Sequence, residues 1–302
     1  MSARLEKILK AKDIPYQTEV PSALLCSFRI GGIAPILVEP RCLGELIEVL
    51  QACRRLSRPY YLLGKGSNLL FPDGRLSCIL IRTLLLDAVA ETKTGFVAQC
   101  GASLVRLSYL AARRGMRGLA FACGIPGSVG GAVYMNAGAY GRSLADVVKS
   151  VRCYLPDADD IRTYFNDELS YSYRNSRFQS KNEVVLSAEL VLEPGADPRE
   201  ILQEMRKQNR ARSAVQPLDL PSAGSSFRRL ESGVALSRTI DELGLKGLRV
   251  GDAAVSQKHA GFIVNLGNAS AADVRLLIEK IQKILLKERG ILPQPELCFV
   301  PD

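Results

Sequence analysis

Two glycine-rich segments have the composition of loops that bind phosphate groups. Gly64-Lys65-Gly66-Ser67-Asn68 follows an apolar run at residues 60–63, and residues 124–141, GIPGSVGGAVYMNAGAYG, contain six glycines. Glycine lets the backbone approach a ligand closely, and successive N–H groups in such turns form concave anion sites. A tight structural loop explains one such segment equally well. The two segments together indicate a large ligand that carries a pyrophosphate.

Three polar residues lie where their side chains could act on a ligand. Arg174 lies in the segment YRNS, and its planar guanidinium matches a carboxylate. Ser225 lies in a turn of small residues at 221–227, and Glu296 lies in the apolar C-terminal segment QPEL. Taken singly, a surface ion pair and a turn serine are the favoured explanations of the first two. An edge-strand carboxylate is the alternative for Glu296.

Composition narrows the class of protein. The 302 residues are typical of two or three domains, and 47% of them are hydrophobic. Lys and Arg outnumber Asp and Glu by 40 to 31, but the charges are dispersed, which favours small anionic ligands over nucleic acid. No apolar run approaches the ~18 residues that span a bilayer. The N-terminus has no apolar signal core, so we expect a cytoplasmic protein without membrane insertion.

Cysteine and histidine usage argues against two further kinds of site. The eight cysteines are scattered without a CxxC pair and the chain has one histidine, so we expect no metal site and free, buried thiols. No GxSxG motif accompanies His259, which we interpret as structural, so serine hydrolase chemistry is excluded. The cysteines are Cys26, Cys42, Cys53, Cys78, Cys100, Cys123, Cys153 and Cys298.

Hydrophobic periodicity and capping residues predict the elements that position these segments. Helices are predicted over residues 3–12 and 42–56 and from Ser103 to Gly115. A fourth helix begins at Pro198, where Asp197 is the N-cap and Glu200 completes a capping box. A fifth runs from Ser270 to Gly290, and Asp273 completes the capping box at its start. Strands are predicted at 36–38, 60–63, 78–81, 151–154 and 184–192, with a last strand after Pro295.

These elements divide the chain into three parts. Residues 28–82 form a β-α-β-loop-β unit with Gly64 at the carboxyl end of a strand, where α/β folds bind ligands. Residues 96–192 are mainly β, and Pro194-Gly195 marks the next boundary. We therefore predict an α+β protein with domains at 1–85, 86–196 and 197–302.

The motifs GKGSN, GIPGSVGGAVYMNAGAYG, YRNSRF, PSAGSSF, KHAGFIVN and QPEL occur in this order from about Phe28 to Leu297. In this the chain resembles the UDP-N-acetylenolpyruvoylglucosamine reductases (MurB, UDP-N-acetylmuramate dehydrogenases), in their shorter, type II form. The resemblance implies a two-part FAD-binding module of the vanillyl-alcohol-oxidase (PCMH) type, at 1–85 and 86–196. A C-terminal α+β substrate-binding domain at 197–302 follows it.

The resemblance also implies a reaction. NADPH reduces FAD, and the reduced flavin passes hydride to the enolpyruvyl ether of UDP-N-acetylglucosamine enolpyruvate. The product is UDP-N-acetylmuramate, a precursor of peptidoglycan. Such a chain is expected to be a cytoplasmic monomer that binds a UDP-sugar.

The family's functional residues map onto positions of this sequence. Arg174 would hold the substrate carboxylate, Ser225 would give a proton to the carbon beside it, and Glu296 would share stabilisation of the enol. The expected substrate-binding residues are Tyr173, Arg212, for the diphosphate, and Lys258. The expected FAD-binding residues are Gly64, Lys65, Gly66, Ser67, Asn68, Gly124, Ile125, Pro126, Gly127, Ser128, Gly130, Gly131 and Ala132.

The sequence departs from the family pattern after Phe227. Arg228-Arg229-Leu230 stands where the family usually has Lys-Asn-Pro, which removes an asparagine that contacts substrate in relatives. The alternative from the same superfamily is an FAD oxidase of another small molecule. Many of those attach flavin to a His or Cys in the first glycine loop, and GKGSN has neither, so non-covalent FAD is expected. A catalytically inactive nucleotide-binding protein is disfavoured because all three chemical positions are filled.

Overall fold

The computed structural model describes residues 3–230 and 235–301. Its chain forms two compact units. The first combines Met1–Gln17, Ile36–Lys65 and Ile79–Ala211. The second combines Thr18–Pro35, Gly66–Cys78 and Arg212–Asp302. The division into 1–85, 86–196 and 197–302 stays a prediction.

Helices are interspersed among runs of strands along the chain. The helices are α1 (Ala3–Ala11), α2 (Leu43–Arg55), α3 (Leu104–Arg113), α4 (Val129–Tyr134), α5 (Pro198–Val215), α6 (Leu236–Glu242) and α7 (Ala271–Arg289). The strands are β1 (Tyr16–Pro21), β2 (Ile33–Val38), β3 (Tyr60–Leu63), β4 (Leu69–Leu70), β5 (Ile79–Arg82), β6 (Val89–Thr92), β7 (Gly95–Gln99), β8 (Gly138–Ala139), β9 (Arg142–Ser143), β10 (Val148–Leu155), β11 (Asp160–Phe165), β12 (Val184–Val191), β13 (Ser222–Ser225), β14 (Arg249–Val250), β15 (Ala253–Val255), β16 (Phe262–Asn265) and β17 (Cys298–Phe299).

The first glycine loop follows β3, an edge strand of a small sheet in the order β1-β2-β5-β3. Strands β2 and β3 both run parallel to β5, where Leu80 lies opposite Leu37 and Tyr61. Parallel strands need a crossover, and α2 supplies it between β2 and β3. The predicted β-α-β-loop-β unit is confirmed, and Gly64 follows the carboxyl end of β3.

A five-stranded antiparallel sheet, ordered β11-β10-β12-β7-β6, also lies in the first unit. Ala188 of its central strand lies opposite Val151 on one side and Ala98 on the other. Buried residues of the sheet, of α3 and of α4 share one core, to which Leu107 and Val133 belong. This agrees with the prediction of a mainly β segment. The core fixes α4, and with it the second glycine segment, against the sheet.

The second unit contains the antiparallel sheet β13-β16-β15-β14, the helix α7 and the parallel pair β4 and β17. At the start of α7 the Ser270 hydroxyl accepts a hydrogen bond from the Asp273 amide at 3.0 Å, and the Asp273 carboxylate accepts one from the Ser270 amide at 2.9 Å. Gly290 ends the helix in the left-handed region, at a φ of +67°. The predicted limits of this helix are confirmed.

Three details differ from the sequence-based expectation. The helix α4 lies inside the glycine-rich segment, because burial of its apolar residues outweighs the low helix propensity of Gly130 and Gly131. The last strand contains only Cys298–Phe299, so Glu296 precedes it. Glu200, expected to close a capping box, pairs its carboxylate with the Arg117 guanidinium.

The sequence also led to expectations about membrane-spanning helices, metal sites and cysteine thiols. Among the described residues, no helix has the length and apolar character needed to cross a membrane. In the same part of the chain, no group of three or more His, Cys, Asp and Glu side chains could hold a metal ion. All eight cysteines are free, and all but Cys42 and Cys298 are buried. Burial raises the pKa of Cys53 to about 11 and that of Cys100 to about 12, so both thiols stay protonated at neutral pH.

Candidate functional site

The first glycine loop leaves its backbone donors unused. None of the amides of Lys65, Gly66, Ser67 and Asn68 donates a hydrogen bond to an acceptor in residues 3–230 or 235–301. Gly66 has a φ of +65°, and a Cβ there would lie 2.0 Å from the Leu25 carbonyl oxygen. Only glycine therefore fits at this position. A row of free amides on a tight turn is the donor set that an anionic ligand requires.

Within the first unit, the second glycine segment comes back to the first. A Cβ on Gly64 would lie 2.1 Å from the Ser128 hydroxyl oxygen. Ser128 in turn caps α4, since its side chain accepts a hydrogen bond from the Gly131 amide at 3.4 Å. At Gly127 an added Cβ would meet no described atom within 4 Å, so its backbone faces open space. The two segments singled out by composition thus share one location.

Some residues of the second segment are tied to the scaffold instead. The amides of Val129 and Gly130 donate to the carbonyls of Ala102 and Cys100, each at 2.8 Å. Ala132 is buried in the core of the first unit. The other predicted positions differ in exposure: Gly124 and Ile125 are half-buried, and Pro126 is exposed.

Arg174 lies in a turn that is closed on itself. The amides and carbonyls of Ser172 and Asn175 exchange two hydrogen bonds of 3.2 Å. Arg174 adopts a φ of +53°, a left-handed conformation that costs a non-glycine residue about 1–3 kcal/mol. Its guanidinium donates to the Gly138 carbonyl at 3.2 Å and lies 5.0 Å from the centre of the Tyr173 ring. Strain held at an arginine is typical of a functional position.

Ser225 ends β13 at an irregular point of its sheet. It pairs with Phe262, but the register shifts between Ser222 and Ser225, and Gly224 has a φ of +79°. Ser225 is half-buried, whereas the next residue, Ser226, is buried. The Ser226 hydroxyl accepts a hydrogen bond from the Ile263 amide at 2.8 Å. The Ser226 hydroxyl therefore braces the sheet, whereas the Ser225 hydroxyl makes no hydrogen bond within residues 3–230 and 235–301.

Glu296 lies next to this strand end in the second unit. Its amide donates to the Ser226 carbonyl at 2.9 Å, and the Arg228 amide donates to the Gln294 carbonyl at 2.9 Å. The segments of Ser225 and Glu296 are thus paired although they are distant in sequence. Glu296 is 8% exposed, and the Asn68 side chain donates to its carbonyl at 3.1 Å. The first glycine loop therefore helps to hold the carboxylate-bearing segment.

The predicted substrate-binding residues lie at separate points. Tyr173 is 44% exposed beside Arg174. Arg212 lies, half-buried, in the last turn of α5. The Lys258 ammonium donates to the carbonyl of Ser213, the neighbour of Arg212, at 2.7 Å. Within the second unit the structure therefore brings the segments of Arg212 and Lys258 together.

Comparison with known proteins accounts for both halves of this arrangement. Residues 34–163 match the model of an FAD binding domain, and residues 216–300 match that of the UDP-N-acetylenolpyruvoylglucosamine reductase C-terminal domain. A UDP-N-acetylenolpyruvoylglucosamine reductase of Caldanaerobacter subterraneus subsp. tengcongensis is 40% identical over 98% of this chain and 97% of its own. One from Clostridium perfringens is 42% identical over 85% of this chain and 83% of its own.

The chain belongs to the UDP-N-acetylenolpyruvoylglucosamine reductase family. The crystal structure of such a reductase from Thermus caldophilus superimposes with a TM-score of 0.80 at 34% identity, covering 95% of this chain and 99% of that one. The predicted α+β fold with an FAD-binding module and a C-terminal domain is confirmed. As a member of this reductase family with an FAD-binding domain, the chain is an FAD-dependent oxidoreductase of peptidoglycan synthesis.

The residues present fit FAD as the cofactor of this reductase. Unused amides over residues 65–68 are donors for a diphosphate, and Gly127 has no side chain to fill the open space in front of its backbone. The fit rests on backbone groups, which explains why glycine rather than charge marks these segments.

His259 takes a structural position in this reductase. Its Nδ1 accepts a hydrogen bond from the Gly261 amide at 3.1 Å, and its ring meets that of Phe262 edge-on at 5.0 Å. Burial lowers the pKa of His259, which favours the neutral form that such an acceptor needs. The structural interpretation of His259 fits these contacts.

Two residues near the β13 strand were not found from sequence. The Ser27 hydroxyl donates to the Ser222 carbonyl at 2.7 Å, and the Asn265 side chain donates to the Phe28 carbonyl at 3.2 Å. Both attach residues 27–28 to the sheet that carries Ser225. A serine and an asparagine carry no local signal for such distant partners, so only the fold reveals them.

Proposed function

We propose that this protein reduces UDP-N-acetylglucosamine enolpyruvate to UDP-N-acetylmuramate, with NADPH as reductant and non-covalently bound FAD. The observation that carries the proposal is the 2.9 Å hydrogen bond from the Glu296 amide to the Ser226 carbonyl. It pairs the backbone of the segment that carries Ser225 with that of Glu296, in a family named for this reduction, and this supports the proposal. A cytoplasmic monomer that binds no nucleic acid is part of the proposal.

FAD would be held by the backbone of residues 64–68 and 124–132. When bound, it supplies two-electron transfer from the nicotinamide to the substrate. Residues 64–68 contain no His or Cys that could form a flavin bond, which supports non-covalent binding. The residues of the chain then have three tasks: to bind the UDP-sugar, to hold its carboxylate and to deliver a proton.

Arg174 would hold the carboxylate of the enolpyruvyl group. Its guanidinium offers a planar fork that binds both carboxylate oxygens. Addition at one carbon of the double bond builds negative charge on the neighbouring carbon and its carboxylate, and a preorganised cation stabilises that charge. The strained turn, with the guanidinium against the Gly138 carbonyl, supports a fixed direction for this side chain.

Ser225 would give its hydroxyl proton to the carbon next to the carboxylate. A neutral hydroxyl is a weak acid, so it acts only on a strongly basic, carbanion-like centre. Gly224 has no side chain to cover this strand end, and an added Cβ there would meet no described atom within 4 Å. Glu296, on the paired segment, would share stabilisation of the enol.

Arg212, Lys258 and Tyr173 would bind the UDP part of the substrate. The 2.7 Å bond from Lys258 to the carbonyl next to Arg212 puts two cationic residues on neighbouring segments, as a diphosphate requires. Arg229 adds one further cation where relatives carry an asparagine, whereas Arg228 replaces a lysine and keeps its charge. We infer that the sugar nucleotide is bound here with a more cationic set of groups.

The test is an assay of the purified protein. Its visible spectrum should show oxidised flavin, and denaturation should release FAD into the supernatant. NADPH oxidation should depend on UDP-N-acetylglucosamine enolpyruvate and yield UDP-N-acetylmuramate by mass spectrometry. A flavin-loaded protein that oxidises NADPH at one rate with and without this substrate would contradict the proposal.

A further inference from the structure

Gln179 binds the backbone of Arg174. It is the last residue of a 3₁₀ turn, Arg177–Gln179, that follows the Arg174 turn. Its Nε2 donates to the Arg174 carbonyl at 2.9 Å and to the Tyr134 carbonyl, at the end of α4, at 2.9 Å. A primary amide carries two N–H groups, so one nitrogen joins both carbonyls.

The Arg174 turn needs support from outside itself. Its left-handed φ of +53° is unfavourable for arginine, and the bonds that close it are long for N–H donors, at 3.2 Å each. A second side chain, Asn136, donates to the Ser172 carbonyl at 2.9 Å. Gln179 and Asn136 thus clamp the turn at two of its carbonyls.

Docking of this segment on α4 does not depend on Gln179. The Ser176 hydroxyl donates to the same Tyr134 carbonyl at 2.7 Å, and Ser176 is buried. What Gln179 adds is the bond to Arg174 itself. Its removal therefore leaves the segment attached but releases the carbonyl of the arginine.

We propose that Gln179 is a positioning residue that fixes the backbone of Arg174, and thereby the direction of its guanidinium, for the carboxylate of the substrate. This rests on the role proposed above for Arg174. Positioning has a large effect on rate, since a displacement of ~1 Å can cost about 10²-fold. Gln179 acts through Arg174 and does not itself contact the substrate.

The experiment compares Gln179→Met with Gln179→Glu. Both keep the length of the side chain and remove the amide donors, and Met adds no charge. In stopped-flow measurements, flavin reduction by NADPH should keep its wild-type rate, which also reports folded, loaded protein. Reoxidation by the enolpyruvyl substrate should slow by about 10²-fold. Ser180→Ala is the matched control, because its hydroxyl donates to the Arg177 carbonyl at 3.1 Å in the same turn.

A binding measurement separates positioning from general damage. Calorimetry with Gln179→Met should show UDP-N-acetylmuramate, which carries the carboxylate, bound about tenfold more weakly, roughly one charge-assisted hydrogen bond. UDP-N-acetylglucosamine, which lacks it, should bind as to the wild type. Equal weakening of both ligands overturns the inference, as does reoxidation of Gln179→Met at the wild-type rate.

The double variant decides whether Gln179 acts through Arg174. In an Arg174→Lys background, Gln179→Met should slow reoxidation less than it does in the wild type, because the guanidinium it positions is gone and lysine holds the carboxylate by one contact. A full additional loss overturns the inference while leaving the role of Arg174 intact. Reoxidation of Arg174→Lys alone at the wild-type rate overturns the role of Arg174, and the inference with it.

Discussion

Gly64 and Ser128 approach so closely that a Cβ on Gly64 would lie 2.1 Å from the Ser128 hydroxyl oxygen. Real Cβ atoms are not found at such distances, so a side chain at Gly64 forces either one of the two segments to move or the Ser128 hydroxyl to give up its bond to the Gly131 amide. Because Ser128 begins α4, which is fixed in the core of the first unit, the loop after β3 is the part that would move.

Gly64→Ala should therefore weaken FAD binding. Overpacking of this kind costs about 1–3 kcal/mol, which corresponds to roughly 5- to 150-fold in the dissociation constant. The measurement is titration of the apoprotein with FAD by flavin fluorescence. Gly44→Ala is the control, because Gly44 lies in α2 and a Cβ there comes no closer than 3.8 Å to the Cys42 sulfur. Equal affinities for the two variants would mean that the Gly64 loop is not part of the cofactor site.

A partly buried ion pair stabilises the segment that follows Arg174. The Glu183 carboxylate accepts two hydrogen bonds of 2.9 Å from the Arg177 guanidinium and one of 2.8 Å from the Tyr164 hydroxyl. The Arg177 guanidinium also lies 3.6 Å from the centre of the Tyr164 ring. Burial opposes ionisation of Glu183, but these bonds prevail and lower its pKa below the usual 4.5.

This ion pair predicts a pH-dependent stability. A carboxyl whose pKa is lower in the folded state stabilises above its unfolded pKa, and the contribution is lost as pH falls through the folded value. Glu183→Gln should lower the free energy of unfolding by roughly 1.5–3 kcal/mol at pH 7. The difference from wild type should shrink below about pH 4.5. Urea unfolding at several pH values measures it.

Glu48→Gln provides the control for this series. Glu48 pairs with Lys12 at 3.2 Å, with both side chains about half exposed, so its loss should cost less than about 1 kcal/mol. A Glu183→Gln variant with an equally small cost at pH 7 would show that the pair of Arg177 and Glu183 adds no more stability than an exposed one.

The sequence predicted what depends on neighbours along the chain. Ser270 and Asp273 cap one helix three residues apart, and the glycines of both loops follow from composition. The 2.1 Å approach of Gly64 to Ser128 has no such local signal, because it depends on how a strand loop and a helix pack in the fold.

The same limit applies to the candidate site. Family resemblance named Arg174, but nothing in YRNS indicates a left-handed arginine, since turn residues with positive φ are usually Gly, Asn or Asp. Gln179 and Asn136 looked like ordinary polar residues until their carbonyl partners were known. Residues that position a functional side chain act through bonds whose partners the sequence does not name.

Arg174→Lys should separate the two half-reactions. Lysine keeps the charge but loses the planar fork, so the carboxylate is held by one contact instead of two. We expect flavin reduction by NADPH at the wild-type rate and reoxidation by substrate slowed by about 10–100-fold, the equivalent of one charge-assisted hydrogen bond or somewhat more. Stopped-flow absorbance follows both steps. Equal slowing of both would place Arg174 in the nicotinamide site or in the scaffold.

Ser226 supplies the control for the proposed proton donor. Its hydroxyl accepts the Ile263 amide at 2.8 Å in a buried position, so Ser226→Ala leaves that donor unpaired. The expected cost is about 1–3 kcal/mol of stability. Protein that remains folded should still turn over, because this hydroxyl faces the sheet.

Ser225→Ala should show the opposite effect. The change removes one oxygen from a half-buried strand end beside Gly224, so the midpoint of thermal unfolding should stay close to that of the wild type. Substrate binding and flavin reduction by NADPH should also persist. Turnover should fall by about 10²–10⁴-fold, the usual loss when a positioned proton donor is removed. Steady-state assays of both serine variants, together with thermal unfolding, provide the comparison. If Ser226→Ala were inactive and Ser225→Ala active, the proton donor would be Ser226 and the assignment to Ser225 would be wrong.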